Sequence, residues 1–176
     1  MSAPSGLVRI VQLSPAALHA LAAGDLQGAI TASAVPMTAY SGGPDWCGVW
    51  AMRAAQVQAD PVSASWITGI VCDEHRQPAV GRTGFHGPPD VAGMVEVGYA
   101  VDPAHRRRRY ARAALEALLR RAAREPDVRT VRATIRPDNT ASQNLVAQYG
   151  FLEVSQQWDD EDSLETIFEV DANRSQ

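Results

Sequence analysis

Residues 94–115 read MVEVGYAVDPAHRRRRYARAAL, and the fold is decided by this stretch. Its first eight residues alternate, with Val95, Val97, Tyr99 and Val101 on one side and Glu96, Gly98 and Ala100 on the other. Side chains alternate across a strand, so residues 94–101 read as a strand with one bulky apolar face. The opposite face carries an acid beside two near-absent side chains. Asp102-Pro103 ends the strand, and from about 109 to 124 the spacing becomes helical, with Ala113, Leu115, Leu118, Leu119 and Ala122 forming an apolar stripe. Pro126 closes that helix. A strand feeding a long helix belongs near the centre of an α/β domain, covered on both faces.

Two features of the stretch call for an explanation. Carboxylates are rarely buried in a central strand without a partner. Either Glu96 sits half-solvated at a strand end while Gly98 and Ala100 admit a packed helix, or the two small residues leave a slot for a ligand and Glu96 overlooks it as a general base. The second feature is the run Arg106–Arg109, which enters the first turn of a helix. The macrodipole is already positive there, and each cation adds a few tenths of a kcal/mol of repulsion or more. A bound polyphosphate accounts for the run, since free N–H groups and guanidinium groups converge on one anion. A solvated turn whose charges are tolerated is the alternative.

Outward from the centre, residues 129–135 (RTVRATI) alternate as a strand, a short helix over about 140–148 ends at Gly150, and FLEVSQQW with SLETIFEV reads as a hairpin around the acidic turn 159–162. Upstream, SWITGIVCD and PAVGRTGFHG read as two strands joined by a turn at 73–77, followed by the loop GPPDVAG. Ser14-Pro15 starts a helix over 15–23 that Gly24 stops, a second short helix covers about 25–33, and Trp46, Trp50, Arg53 and Val57 mark an amphipathic helix over 46–58 with Asp45 as its cap. The order is helices, two strands, then β-α-β-α-β-β, one mixed α/β domain over residues 1–176 without repeat or linker.

Composition narrows the function classes. A net charge of −4 argues against general nucleic-acid binding, with the Arg106–Arg109 run as a local exception. All 16 basic residues are arginine, as codon usage in a GC-rich genome would give. Cys47 and Cys72 form no Cys-x-x-Cys pattern and the four histidines show no ligand spacing, so neither a disulfide framework nor a metal site is expected. No apolar run is long enough to span a membrane, and Gln12, Ser14, Pro15 and His19 interrupt the N-terminal apolar stretch where a signal peptide would need continuity. A cytoplasmic, reduced protein is the expectation.

The stretch VEVGYAVDPAHRRRRYARAAL resembles the acetyl-CoA-binding motif of the GNAT superfamily, and within it the branch that includes ribosomal-protein N-terminal acetyltransferases. Arg106, Arg107, Arg108, Arg109, Tyr110 and Ala111 lie on the family's Gln/Arg-x-x-Gly-x-Gly/Ala pattern, and PDNTASQNLVAQYGF is similar to the family's Asn-x-x-Ser helix ending in Gly-Phe. The resemblance implies a strongly twisted mixed sheet of six or seven strands flanked by helices, whose splayed central strands take the pantetheine arm. It implies that backbone groups of Tyr99, Ala100 and Val101 bind the thioester end of acetyl-CoA. Residues 107–112, including Arg112, would hold the pyrophosphate, and Asn139 would contact the pantetheine. Glu96 would be the general base, and Ser142 the general acid that protonates leaving coenzyme A. The amine acceptor would be a protein N-terminus or, as the alternative, a small molecule such as an amino acid or antibiotic. A non-catalytic acyl-CoA-binding domain is a further alternative, and the resemblance admits a homodimer.

Two departures stand out. Arg109 occupies a position where the family has glycine, which is tolerable at negative φ and strained at positive φ. The tyrosine that many members carry midway along the second helix is replaced by Val146, while Tyr149 lies at an offset that suits packing.

Overall fold

The computed structural model of the chain describes residues 8–75, 79–159 and 163–175. Seven strands, β1 (Val8–Val11), β2 (Gly69–Asp73), β3 (Ala79–Phe85), β4 (Met94–Val101), β5 (Thr130–Ile135), β6 (Leu152–Trp158) and β7 (Leu164–Asp171), form one mixed sheet in the order β1-β2-β3-β4-β5-β7-β6. Five helices accompany them: α1 (Pro15–Ala22), α2 (Leu26–Ser33), α3 (Pro44–Ala59), α4 (Tyr110–Ala122) and α5 (Thr140–Ala147). The chain divides into two compact units, one made of residues 1–88 and 99–115, the other of 89–98 and 116–176. Strand β4 and helix α4 each contribute to both.

In the first unit, β1, β2 and β3 pair antiparallel. Every residue of β2 is buried, and Ile70 and Cys72 join a core with Leu18, Leu21, Trp50 and Val57 from α1 and α3. Val71 and Val80 instead pack with Tyr110 and Ala114 of α4, so the strands are covered on both faces, and the polar alternation of a half-exposed sheet is absent. A Cβ on Gly81 would stand 2.2 Å from the Ala100 carbonyl oxygen, so β3 and the end of β4 approach each other only because residue 81 has no side chain. Asp102 then pins the end of β4. Its N–H donates to the Val80 carbonyl (2.9 Å), one carboxylate oxygen accepts the Ala104 N–H (2.9 Å), and the other accepts the Thr38 hydroxyl (3.3 Å).

In the second unit, β4 pairs parallel with β5 over Met94–Glu96 and Thr130–Arg132, and the ladder stops there. Strand β5 pairs antiparallel with β7, and β7 with the exposed edge strand β6. Val95, Val131 and Val170 share one face and are buried, whereas Glu96, Arg132 and Glu169 stand in register across the other. Arg132 donates to Glu169 through Nε and Nη2 at 2.9 and 2.6 Å.

The strand assignments from β2 to β7 and the five helices agree with the sequence reading, with three differences. Strand β1 went unread, because four residues give too short an alternation to stand out. The first upstream strand starts at Gly69 rather than at Trp66, since Asp60 caps a 3-10 turn over Pro61–Ser65 by accepting the Val62 N–H (3.1 Å). Helix α3 starts two residues earlier than expected: Gly43 is the cap, Pro44 takes the first helical position, and Asp45 lies in the first turn where its charge complements the dipole. The hairpin turn at 160–162 lies outside the described residues.

One polar contact holds the start of α4 to β2. The Tyr110 hydroxyl donates to Asp73 at 2.5 Å, and both residues are buried. Removing the donor leaves a buried carboxylate short of a partner, so Tyr110→Phe should lower stability by about 1–3 kcal/mol. A urea denaturation midpoint equal to that of the parent chain would contradict this.

Candidate acyl-coenzyme A and acceptor site

The arginine run forms an exposed turn between β4 and α4, with Asp102 at its root. Arg106 is extended (φ −64°, ψ 164°), and its Nε reaches weakly toward the Val101 carbonyl at 3.4 Å. Arg107 and Arg109 both adopt the left-handed conformation, with φ 59° and 66°. Together with Ala34 they are the non-glycine residues at positive φ among those described. An L-residue there costs roughly 1–2 kcal/mol, and such strain persists where the surroundings over-determine it. The Arg109 carbonyl accepts the Ala113 N–H (2.9 Å), which makes Arg109 the cap residue of α4. An arginine side chain has no acceptor atom, so the helix entry lacks the side-chain oxygen that usually meets first-turn N–H groups. Four guanidinium groups stand there instead. One of the turn's two positive-φ positions, Arg109, is where the GNAT pattern has glycine, so the expectation of strain at positive φ applies there.

The other expected site residues divide between the two units. Tyr99, Ala100 and Val101 end β4 in the first unit, half-buried. Tyr110 also lies there, but its side chain is in the core against Asp73, so only its backbone can face a ligand. Ala111 and Arg112 follow on the first turn of α4, half-buried, and Arg108 is exposed. In the second unit, Glu96 is half-buried at the last position of β4 that pairs with β5. Asn139 caps α5, its Oδ1 accepting the Ser142 N–H at 3.2 Å. That cap leaves the Asn139 amide nitrogen and the Ser142 hydroxyl without a hydrogen bond among the described residues. Tyr149 donates to Glu116 at 2.5 Å, a structural contact that occupies its hydroxyl.

Sequence reading missed a polar cluster in the first unit. Of Trp46, Trp50 and Trp66, Trp50 is fully buried with its indole N–H on the Ser41 carbonyl (2.8 Å), and Trp66 packs on Phe85. Trp46 is half-buried, meets Tyr40 edge-on at 5.5 Å, and carries the Arg82 guanidinium over its ring at 3.8 Å. Arg53 is buried beside them and donates to Thr68, Gln56 and the His86 carbonyl. Burial pulls the Arg82 pKa down to about 10, with Tyr40 resisting the fall and Arg53 adding to it. Burial also raises the Tyr40 phenol, against the charges of Arg82 and Arg106. An isolated arginine in a β-rich segment gives no sequence signal of such a cluster, because its partners come from α3 and the loop before it.

A mixed seven-stranded sheet with an arginine-rich turn feeding α4 defines an α/β domain. Residues 17–152 match the acetyltransferase (GNAT) domain family, and the chain belongs to it. Over 88 residues the chain is 35% identical to an uncharacterized N-acetyltransferase of Bacillus subtilis (50% of this chain, 51% of that protein). Over 82 residues it is 40% identical to the L-2,4-diaminobutyric acid acetyltransferase of Streptomyces anulatus (47% of each). The match thus spans about half the length of these curated relatives. Two solved structures share the fold: the microcin C7 self-immunity acetyltransferase, solved with acetyl-CoA and AMP (TM-score 0.64, 12% identity, 96% of this chain and 97% of that one), and the ribosomal-protein-S5-alanine acetyltransferase of Vibrio fischeri (TM-score 0.63, 12% identity, 100% and 98%). Among the described residues no helix is long and apolar enough to cross a membrane.

The strain at Arg107 and Arg109 gives a direct stability test. Glycine relieves roughly 1–2 kcal/mol of left-handed strain but adds about 0.5–1 kcal/mol of unfolded-state entropy. Arg107→Gly and Arg109→Gly should each therefore stabilise the free protein by about 0.5–1 kcal/mol. Chemical denaturation measures this, and a loss of stability in both variants would show that the turn is not strained.

Proposed function

We propose that the chain, as one acetyltransferase domain, moves an acetyl group from acetyl-CoA onto a primary amine of a small molecule. The observation that carries this reading is the left-handed backbone at both Arg107 and Arg109. Arg109 is a glycine position of the family pattern, and the turn keeps its left-handed shape at both residues against the preference of arginine. When bound, acetyl-CoA supplies the activated thioester and a thiolate leaving group. The N–H groups of residues 107–112 and the guanidinium groups of Arg106, Arg107, Arg108 and Arg109 hold its pyrophosphate. Backbone groups of Tyr99, Ala100 and Val101 orient the thioester end, and their N–H donors stabilise charge developing on the carbonyl oxygen. Asn139, with its Oδ1 committed to the α5 cap, donates through its amide nitrogen to the pantetheine arm.

Glu96 takes the proton from the attacking ammonium, directly or through a water, and Ser142 delivers one to the departing sulfur. The proton balance closes within those two groups and solvent. Support for Ser142 comes from its uncommitted hydroxyl one turn into α5. Support for Glu96 comes from its half-buried position beside Gly98 and Ala100 on β4.

For the acceptor, the relative named for 2,4-diaminobutyric acid, at 40% identity, supports a small amine. The second reading, a protein N-terminal α-amine, draws on the motif resemblance and on the shared fold of the S5-alanine enzyme at 12% identity.

The test is acetyl-CoA-dependent thiol release against a panel of amines and peptides. Glu96→Gln should lower turnover by about 100-fold or more while leaving coenzyme A affinity nearly unchanged. Its pH–rate profile should lose the limb that reports the base. An unaltered profile in this variant would remove Glu96 from the mechanism. Ser142→Ala should lower turnover by a smaller factor, about tenfold, and equal rates in Ser142→Ala and the parent would assign leaving-group protonation to solvent.

A further inference from the structure

The Arg82 cluster contains none of the residues expected to hold acetyl-CoA, and its chemistry is unusual. Arg82 pairs in register with Ile70, which puts it on the face of β2 and β3 where Ile70, Cys72 and helices α1 to α3 build the core. A guanidinium on a core face normally meets a carboxylate. Here no ion pair or hydrogen bond to Arg82 occurs among the described residues, and its Nε is sealed from solvent without an acceptor. The α3 charge that acts on it is another cation, Arg53. The Trp46 face stabilises the cation, but a ring supplies no lone pair for the buried N–H. Buried polar groups in native proteins are almost always bonded, so an orphan of this kind points to a group that arrives from outside.

The geometry of the donor narrows that group. Nε and its neighbouring Nη form the guanidinium edge that takes a carboxylate through two parallel hydrogen bonds. Tyr40 and Trp46 wall the position, and the loop that carries Tyr40 is tied to Asp102 through Thr38, at the root of the arginine turn. Phosphate chemistry is already served by the four exposed arginines of that turn. A single aromatic-walled guanidinium fits a smaller, planar anion.

We propose that Arg82 binds the carboxylate of the acceptor, so that the acceptor belongs to the class of amines that also carry a carboxylate, such as free amino acids. The proposal rests on the reading of the protein as an amine acetyltransferase. It adds a specificity-determining residue that the family pattern does not contain.

The experiment compares L-2,4-diaminobutyrate and a panel of free L-amino acids with their carboxamides, which differ only in the anion. Thiol release gives kcat/KM for each, and calorimetry on the coenzyme A-saturated protein gives binding without turnover. The parent chain should favour at least one acid over its amide by about tenfold or more, the scale of a charge-assisted bidentate contact. In Arg82→Met that ratio should collapse toward one, with the coenzyme A Kd within about twofold of the parent, and Arg82→Lys should restore part of it. Thermal melting should be no lower in Arg82→Met than in the parent, because a cation without an anion has been removed. Amides favoured over every acid, equal losses on acid and amide, or a collapse of coenzyme A affinity would overturn the proposal, the last by giving Arg82 to the nucleotide. If no amine is acetylated, the transfer reading fails, and acid-selective binding that vanishes in Arg82→Met still upholds the carboxylate site. Absence of that binding rejects it.

Discussion

The constraint on which the rest depends is a stretch of backbone held where arginine does not want to be. Arg107 and Arg109 sit in left-handed conformations that glycine would take without strain, and the neighbours that hold them are visible. Asp102 ties the end of β4 to β3, to the Thr38 loop and to the first residues of the turn. Immediately after the turn, Tyr110 is anchored in the core by Asp73. Clamped at both ends within a few residues, the turn has little freedom to relax, and α4 must begin with an arginine cap. The repulsion among four cations at a positive helix end adds to that cost, and a bound polyphosphate would offset that repulsion.

Much of this was legible in the sequence because it rests on local pattern. The alternation in 94–101, the stripe in 110–122 and the stop at Gly150 need only neighbours along the chain. The arginine run announced itself by breaking a local rule, since acids belong at a helix start. What stayed hidden depends on partners distant in sequence. Strand β1 is four residues long and acquires its identity only from pairing with β2. Asp73 reads as an ordinary strand-ending acid until Tyr110 arrives, 37 residues later, as its donor. Arg82 reads as the polar side of a half-exposed strand, and only the register with Ile70 turns it toward the core.

The same contrast separates the two halves of the chemistry. The cofactor half is written in contiguous motifs, so membership of the GNAT family follows from sequence and structure together. The proposed acceptor half would be assembled from β3, α3 and the loop between α2 and α3, which share no contiguous motif. Arg82, Trp46 and Tyr40 come from three such segments and meet only in the fold. A site built in this way can change its acceptor by single substitutions without disturbing the cofactor turn. That separation is how one fold supports many acceptors.

The central claim is that the strained arginine turn is a working acyl-CoA cradle. Calorimetric titration of the protein with acetyl-CoA tests it most directly, with coenzyme A and Arg109→Gly measured alongside. The account predicts micromolar binding by the parent chain, driven by the phosphates and weakened by salt. No binding at millimolar acetyl-CoA by either protein would contradict it.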